Sequence, residues 1–274
     1  NFNFHNTDVA FFSAGSKVSK TFAPIAEKNN CYVIDNTSQF RMDHDIPLIV
    51  PEINAKDLLK SRRKIIANPN CSTIQMLIAL APIHNISIIK RVIVSTYQSV
   101  SGAGQNAIDE LKKQSKDILD NNKIDIQHIP KQIAYNVVPQ IDSFLDNGFT
   151  KEEMKMVNET KKILDPNISV NATCVRVATV VGHAESIYFE LENSVDLHKI
   201  ANVLKNKEEI IFSDVDYFTP VDCSDNNWVY ISRLRKDLFQ ENGFNFWVVS
   251  DNLLKGAALN SVQIAESLIA QHLI

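Results

Sequence analysis

No stretch constrains the fold of this chain more than Lys64-Ile65-Ile66-Ala67-Asn68-Pro69-Asn70-Cys71-Ser72-Thr73-Ile74-Gln75. The apolar run from Lys64 to Ala67 reads as a short buried strand. Asn68-Pro69-Asn70 ends it, because a residue before proline is pushed away from the helical region. Ser72 to Ala81 then reads as a helix that is apolar almost all round, so it must be buried, and it should end near His84-Asn85. Cys71 is thereby placed on the first turn of a buried helix. Unpaired amide N–H groups and the positive end of the helix dipole favour thiolate there. A cysteine so placed can titrate well below its free value of about 8.5. The plainer reading of a single cysteine among apolar neighbours is a small core residue.

Upstream, elements alternate. Asp8 to Ser13 is a strand-like run, Ala14-Gly15-Ser16 a turn, Ser16 to Lys28 a helix opened by a capping serine, and Cys31 to Asp35 the next strand. Such alternation implies parallel pairing in a doubly wound α/β sheet. Ligands bind such sheets at the C-terminal ends of the strands, and Ser13-Ala14-Gly15 occupies such an end. Leu48 to Glu52 and Lys64 to Ile66 read as further strands, with a short helix from Ala55 to Arg62 between them.

Beyond the Cys71 helix the character changes. Ile86 to Tyr97 is a long β-branched strand, Ser101-Gly102-Ala103-Gly104 a loop, Gln105 to Leu119 a polar amphipathic helix, and Asp120 to Lys131 an exposed loop. Thr150 with Glu153 three residues on fits a capping box and opens a helix to about Leu164. Ala172 to Val181 and Glu185 to Glu192 look like paired strands joined at Gly182-His183-Ala184. Asp196 to Asn206 is a helix, Phe218 to Asn226 is irregular, and Trp228 to Leu234 and Phe244 to Ser250 complete a mixed sheet. Asn252 to His272 is the closing helix.

Composition excludes several function classes. Among 274 residues, 28 basic and 32 acidic side chains give a net charge of −4, and no basic arm points to nucleic acid. No apolar run approaches the roughly 20 residues of a membrane span, and residues 1–5 show no signal-peptide pattern. Cys31, Cys71, Cys174 and Cys223 lie far apart without metal-ligand spacing, which suits free thiols in a reducing cytoplasm. Only 7 residues are glycine, and no glycine-rich phosphate loop follows a strand near the start.

Asn68-Pro69-Asn70-Cys71-Ser72-Thr73 resembles the nucleophile motif of aspartate-β-semialdehyde dehydrogenases. Ser95 to Gly104 (Ser-Thr-Tyr-Gln-Ser-Val-Ser-Gly-Ala-Gly), Cys174-Val175-Arg176 and Asp251-Asn252-Leu253-Leu254-Lys255-Gly256-Ala257-Ala258 are similar to that family too, in its order, and the likeness covers most of the chain. It implies a partial Rossmann-like dinucleotide-binding domain, residues 1–71 with 252–274, and an α+β catalytic and dimerisation domain, residues 72–251. Family members begin with a glycine loop, so this chain reads as an N-terminally truncated or incomplete copy that starts after it. The resemblance implies NADP as cofactor and a homodimer or homotetramer. It implies a small-molecule reaction, L-4-aspartyl phosphate reduced to L-aspartate 4-semialdehyde and phosphate, at the head of lysine, methionine and threonine synthesis.

Residue roles follow from the same likeness. Cys71 is the implied nucleophile, His183 the acid/base, and Gln98 the residue that positions the acyl intermediate. Arg176 is implied to bind the substrate α-carboxylate. Spacing alone leaves Arg176 and His183 undecided, since residues seven apart face opposite sides of a flat strand unless a turn or bulge intervenes, which Gly182 could supply. Glu152 and Lys155 share a helix face and by themselves read as a surface ion pair of little consequence. The likeness gives Glu152 the substrate amino group and Lys155 the phosphate, with Glu153 the competing carboxylate. Arg41, in Ser38-Gln39-Phe40-Arg41-Met42, is otherwise a solvated charge, but here it is implied to hold phosphate, and Asn70 could donate to the same anion. Ser13, Ala14, Gly15, Ser101, Gly102, Pro139 and Asn252 are implied to line the cofactor. Two rival readings are an N-acetylglutamyl-phosphate reductase, disfavoured by the Glu152 carboxylate because an acylated amine carries no charge, and a cofactor-deficient fragment that only dimerises.

Overall fold

The computed structural model describes residues 3–274; residues 1 and 2, the first of the segment read above for a leader, lie outside the described residues. The chain opens with β1 (Val9–Phe12), α1 (Ser16–Lys28), β2 (Tyr32–Asp35), α2 (Pro51–Asn54) and β3 (Ile65–Ala67). The three strands form a parallel sheet in the order β1-β2-β3, with Val9 opposite Tyr32 and Val33 opposite Ile65. Successive side chains leave opposite faces of a strand. Val33 and Ile65 accordingly pack with Ala23 and Ala26 of α1, whereas Ile34 and Ile66 pack with Ile264 and Leu268 near the end of the chain. Both faces are covered, as a parallel sheet requires.

Leu48 to Glu52, expected as a strand, is not one. Leu48 makes a single bridge to Ala67, and Pro51 opens α2. Proline brings no N–H to a ladder, and its fixed φ suits the first position of a helix.

The second part comprises α3 (Cys71–His84), β4 (Ile89–Gln98), α4 (Gln105–Leu119), β5 (Val137–Val138), α5 (Lys151–Ile163), β6 (Ser169–Val177), β7 (His183–Leu191), α6 (Leu197–Lys205), β8 (Ile210–Ser213), α7 (Pro220–Cys223), β9 (Val229–Lys236) and β10 (Gly243–Ser250). Its seven strands form one mixed sheet, β5-β6-β4-β7-β10-β9-β8, and α8 (Leu259–Ala270) returns to the first sheet. Helix α3 is buried from Ser72 to Ile83 and packs against β4, β7, β9, β10, α5 and α6, which is why its sequence is apolar all round.

Strands β6 and β7 are not partners, contrary to the expected pairing. β4 lies between them, parallel to β6 and antiparallel to β7, with Gln98 opposite Arg176 and Tyr97 opposite Ala184. A strand's alternation reports its faces and not its neighbours. The chain instead crosses over the end of β4 from Val177 to Gly182, and Gly182 turns it with φ of 89°. His183 is the first residue of β7, not part of a hairpin turn.

Two smaller differences lie near the site. The segment 218–226, read as irregular, contains α7, opened by a capping box between Thr219 and Asp222. The closing helix does not start at Asn252: a π-helical turn, Leu254–Ala258, precedes α8. Widened turns of this kind are frequent at functional sites.

Candidate active site

A cavity of about 460 Å³ opens where the start of α3, the ends of β4 and β6, the first turns of α5 and the 252–257 segment meet. Cys71, Gln98, Glu152, Arg176, Arg41, Lys155, Asn70, Ser101, Gly102 and Asn252 all line it. His183 stands behind Gly102: a Cβ added to that glycine would lie 3.1 Å from His183 Nε2 and 3.1 Å from Arg176 Nη1. Ser13, Ala14, Gly15 and Pro139 are not part of the lining.

Asn70 fixes the turn that carries Cys71. Its Oδ1 accepts the Ser72 and Thr73 N–H groups at 3.0 and 3.2 Å, so it caps α3, and its Nδ2 donates to Glu152 Oε1 at 2.8 Å. One amide hydrogen of Asn70 is thus committed to Glu152. The expected lowering of the Cys71 pKa is corrected here. Burial, with the Glu152 charge behind it, pushes the thiol up to about 12, although Arg176, Arg41 and the Ser72 amide pull the other way. Desolvation of a thiolate outweighs a helix terminus whose nearest amides are already capped.

Glu152 is buried and is not a solvated surface ion pair. Its Oε1 also accepts from Gln98 Nε2 at 3.2 Å, and its Oε2 accepts from Lys155 Nζ at 3.0 Å. Burial alone would raise its pKa. The Lys155 charge and the hydrogen bonds from Lys155, Asn70 and Gln98 outweigh it and hold the carboxyl below its ordinary range. Lys155 is raised in turn, its burial offset by Glu152 and Asp142. Glu153 faces elsewhere: it completes the α5 capping box at the Thr150 N–H and accepts the Cys174 N–H at 3.0 Å.

Arg176 Nη1 donates to the Ser99 carbonyl at 2.7 Å. Because β6 and β7 flank β4, Arg176 and His183 approach the same end of β4 from either side, which settles the ambiguity of their spacing. The Ser99 N–H donates to His183 Nδ1 at 3.1 Å. Nδ1 is therefore an acceptor, and the ring proton sits on Nε2, which is buried without a protein partner. Burial and the Arg176 charge lower the imidazole pKa to about 3. His183 thus meets the site as a neutral N–H donor. We expect its ring nitrogens, followed by 15N NMR, to keep the Nε2–H tautomer throughout the range of about pH 5 to 8 where an ordinary histidine titrates. A midpoint inside that range would contradict the assignment.

Asn252 ties these parts together. Its Oδ1 accepts from the Gly182 N–H at 2.9 Å and the Ser99 hydroxyl at 3.1 Å, and its Nδ2 donates to the Ser101 hydroxyl at 3.0 Å. The sequence reading missed Asn36, Ser38, Asn68, Asp142 and Gly256, which also line the cavity, and Glu159, which pairs with Arg41 at 3.0 Å. Ser38, Asn68 and Gly256 lay inside the motifs quoted above, and Glu159 had a signal in its spacing of seven from Glu152 on α5. Among the described residues, no group of three or more His, Cys, Asp or Glu side chains is placed to hold a metal ion, and no helix is long and apolar enough to cross a membrane.

Comparison with known proteins accords with this arrangement. The family model "Semialdehyde dehydrogenase, dimerisation domain" matches residues 80–255, and "Semialdehyde dehydrogenase, NAD binding domain" matches residues 1–61. An aspartate-semialdehyde dehydrogenase of Shewanella violacea is 51% identical over 276 aligned residues, spanning 99% of this chain and 82% of the relative. One of Bacillus subtilis is 50% identical, with 99% and 82% covered. The solved structure of aspartate semialdehyde dehydrogenase II from Vibrio cholerae, complexed with ASA, superposes with a TM-score of 0.97 at 48% identity, covering 98% of this chain and 82% of that one. Half the residues are shared along nearly the whole chain, and the fold is shared almost throughout. With the cysteine turn, the buried Arg176 and Glu152 and the seven-stranded sheet in place, this likeness shows that the chain belongs to the aspartate-semialdehyde dehydrogenase family.

Proposed function

We propose that this chain interconverts L-4-aspartyl phosphate and L-aspartate 4-semialdehyde with NADP, through a thioacyl intermediate on Cys71. The observation that carries this reading is the pair of opposite charges around the thiol. Arg176 and Glu152, both buried, line one cavity with Cys71, and they complement the α-carboxylate and α-ammonium of an amino-acid substrate.

In the oxidative direction the Cys71 sulfur bonds to the aldehyde carbon while the thiol proton passes to the carbonyl oxygen, giving a hemithioacetal; loss of that proton to solvent and of a hydride from the carbon then leaves the thioacyl group on sulfur. We assign His183 Nε2–H, buried behind Gly102 without a protein partner, as the fixed donor to that oxygen. Arg176 holds the α-carboxylate and Glu152 accepts from the α-ammonium. Gln98, tethered to Glu152 and accepting from the Thr96 hydroxyl at 3.0 Å, keeps the acyl carbon in line. Arg41 and Lys155 hold phosphate, whose oxygen attacks the thioacyl carbon and expels the sulfur. Gly102, where the backbone leaves room that a side chain would fill, and the polar pair Ser101 and Asn252 would hold the nicotinamide ring. When bound, that ring supplies the hydride acceptor. The division of the chain at residues 71/72 and 251/252 puts Cys71 and Asn252 on the seam between a cofactor-binding part and a catalytic part, and a second copy pairs through the latter.

The test is a comparison of initial rates of NADP reduction with phosphate and either aspartate semialdehyde or N-acetylglutamate semialdehyde. Aspartate semialdehyde is expected to win, and Glu152→Gln is expected to cost it about 10²-fold in kcat/KM, the loss of one buried charged contact to the amine. Preference for the acetylated substrate, or indifference to Glu152→Gln, would reject the assignment.

A further inference from the structure

Helix α5 carries charged residues at 152, 155, 159 and 162, spacings of three, four and three that put all four on one face. The first two line the cavity. Glu159 and Lys162 do not, yet both grip the segment that carries Arg41. Glu159 is 1% exposed; its Oε1 accepts from Arg41 Nη1 at 3.0 Å and its Oε2 accepts from the Asn70 N–H at 2.7 Å. Arg41 Nη2 donates to the Asn36 carbonyl at 3.1 Å, and its Nε–H is buried without a protein partner. Lys162 Nζ donates to three carbonyls of the same loop, those of Arg41, Asp43 and Ile46, at 2.7, 2.8 and 2.8 Å. The guanidinium is therefore fixed by one residue of α5 and its backbone by another, one helical turn apart.

We propose that Glu159 and Lys162 are positioning residues for the phosphate site, and that together they set the reach of Arg41 and hence the affinity for inorganic phosphate. This rests on the reading of Arg41 as a phosphate ligand. A carboxylate beside that arginine can act in two opposed ways. As a competitor it weakens the arginine's hold on an anion, so its removal lowers the KM for phosphate. As an anchor it aims the arginine, so its removal raises that KM. The bond of Lys162 to the Arg41 carbonyl decides for the anchor, because Lys162 constrains the same residue without competing for its charge. Glu159 adds a second connection: through the Asn70 N–H it joins the phosphate arm to the turn that carries Cys71. A shift of one is thereby felt by the other.

The experiment measures KM for inorganic phosphate and for aspartate semialdehyde in Glu159→Gln, Lys162→Met and Arg41→Ala, with thermal unfolding recorded for each. The glutamine keeps an oxygen for the Asn70 N–H but turns an NH2 group toward Arg41, so it breaks the aim and spares the turn. Phosphate KM is expected to rise about tenfold in Glu159→Gln and about threefold in Lys162→Met, with semialdehyde KM within about twofold of the parent. A phosphate KM that falls or holds in either variant overturns the inference. If Arg41→Ala also leaves phosphate KM unchanged, the reading of Arg41 fails and the inference fails with it. If Arg41→Ala raises it while the other two do not, only the inference fails. Lys162→Met lies in a partly exposed position and tests the same point should Glu159→Gln not fold.

Discussion

Cys71→Ala is expected to reduce phosphate-dependent NADP reduction by more than about 10⁴-fold, because the residue proposed to form the covalent bond is removed while the binding groups stay. The fold should survive, since the thiol is only half-buried at the cavity and α3 is capped by Asn70 rather than by Cys71. Initial rates at 340 nm, set beside a thermal melt of both proteins, check this. Residual activity within tenfold of the parent would remove Cys71 from the mechanism. A companion measurement follows from the raised pKa. The other cysteines, Cys31, Cys174 and Cys223, are buried, so alkylation by iodoacetamide should report Cys71. Its rate should climb with pH well beyond 9, as befits a thiol with a pKa near 12.

Gly256→Ala carries the second large effect. An added Cβ would stand 2.9 Å from Cys71 Cβ and 3.3 Å from Cys71 Cα, closer than side chains approach one another. Neither side yields readily. The π-helical turn that carries Gly256 is held by Lys255, itself buried, whose ammonium donates to Glu52 at 2.6 Å and to Asn260 at 3.3 Å. Asp251 secures its start by accepting from the Leu253 and Leu254 N–H groups. Cys71 is fixed in turn by the Asn70 cap. The methyl group must therefore displace Cys71, and a misplacement of about 1 Å in a reacting group costs about 10²-fold in rate. The stability penalty of overpacking is about 1–3 kcal/mol, so the variant should remain folded. Parental kcat/KM in a folded Gly256→Ala protein would show that the close approach does not position the thiol.

What the sequence disclosed depended on how local each signal is. The turn at Cys71 was legible because Asn-Pro-Asn breaks one element and an all-apolar run demands another. The capping box at Thr150 was legible for the same reason, since both its halves lie within three residues. The order of strands was not: nothing in β6 or β7 records that β4 lies between them, so Arg176 and His183 could be brought to one site only in three dimensions. The thiol pKa failed for a related reason. Helix position is a local property, whereas desolvation and the Glu152 charge come from residues eighty positions away. Glu159 was passed over because a lone carboxylate on a polar helix reads as solvated until its distant partners, Arg41 and the Asn70 amide, are seen. The family likeness supplied the roles that local chemistry left open, and the geometry then shows what each residue touches.

The packing of α8 across the first sheet has a consequence for biogenesis. Ile34, Ile49, Leu58 and Ile66 find their apolar cover in Ile264 and Leu268, and Asn260 and Ser261 complete hydrogen bonds to Asn68 and Asn36. On the ribosome those strands emerge first, while their cover emerges only after the entire mixed sheet has been made. The nascent first sheet therefore travels with an open greasy face and unfinished polar contacts while the mixed sheet is being made, the state in which chains aggregate or recruit chaperones. The sheet inside the stretch that matches an NAD binding domain is thus begun before the mixed sheet and completed after it.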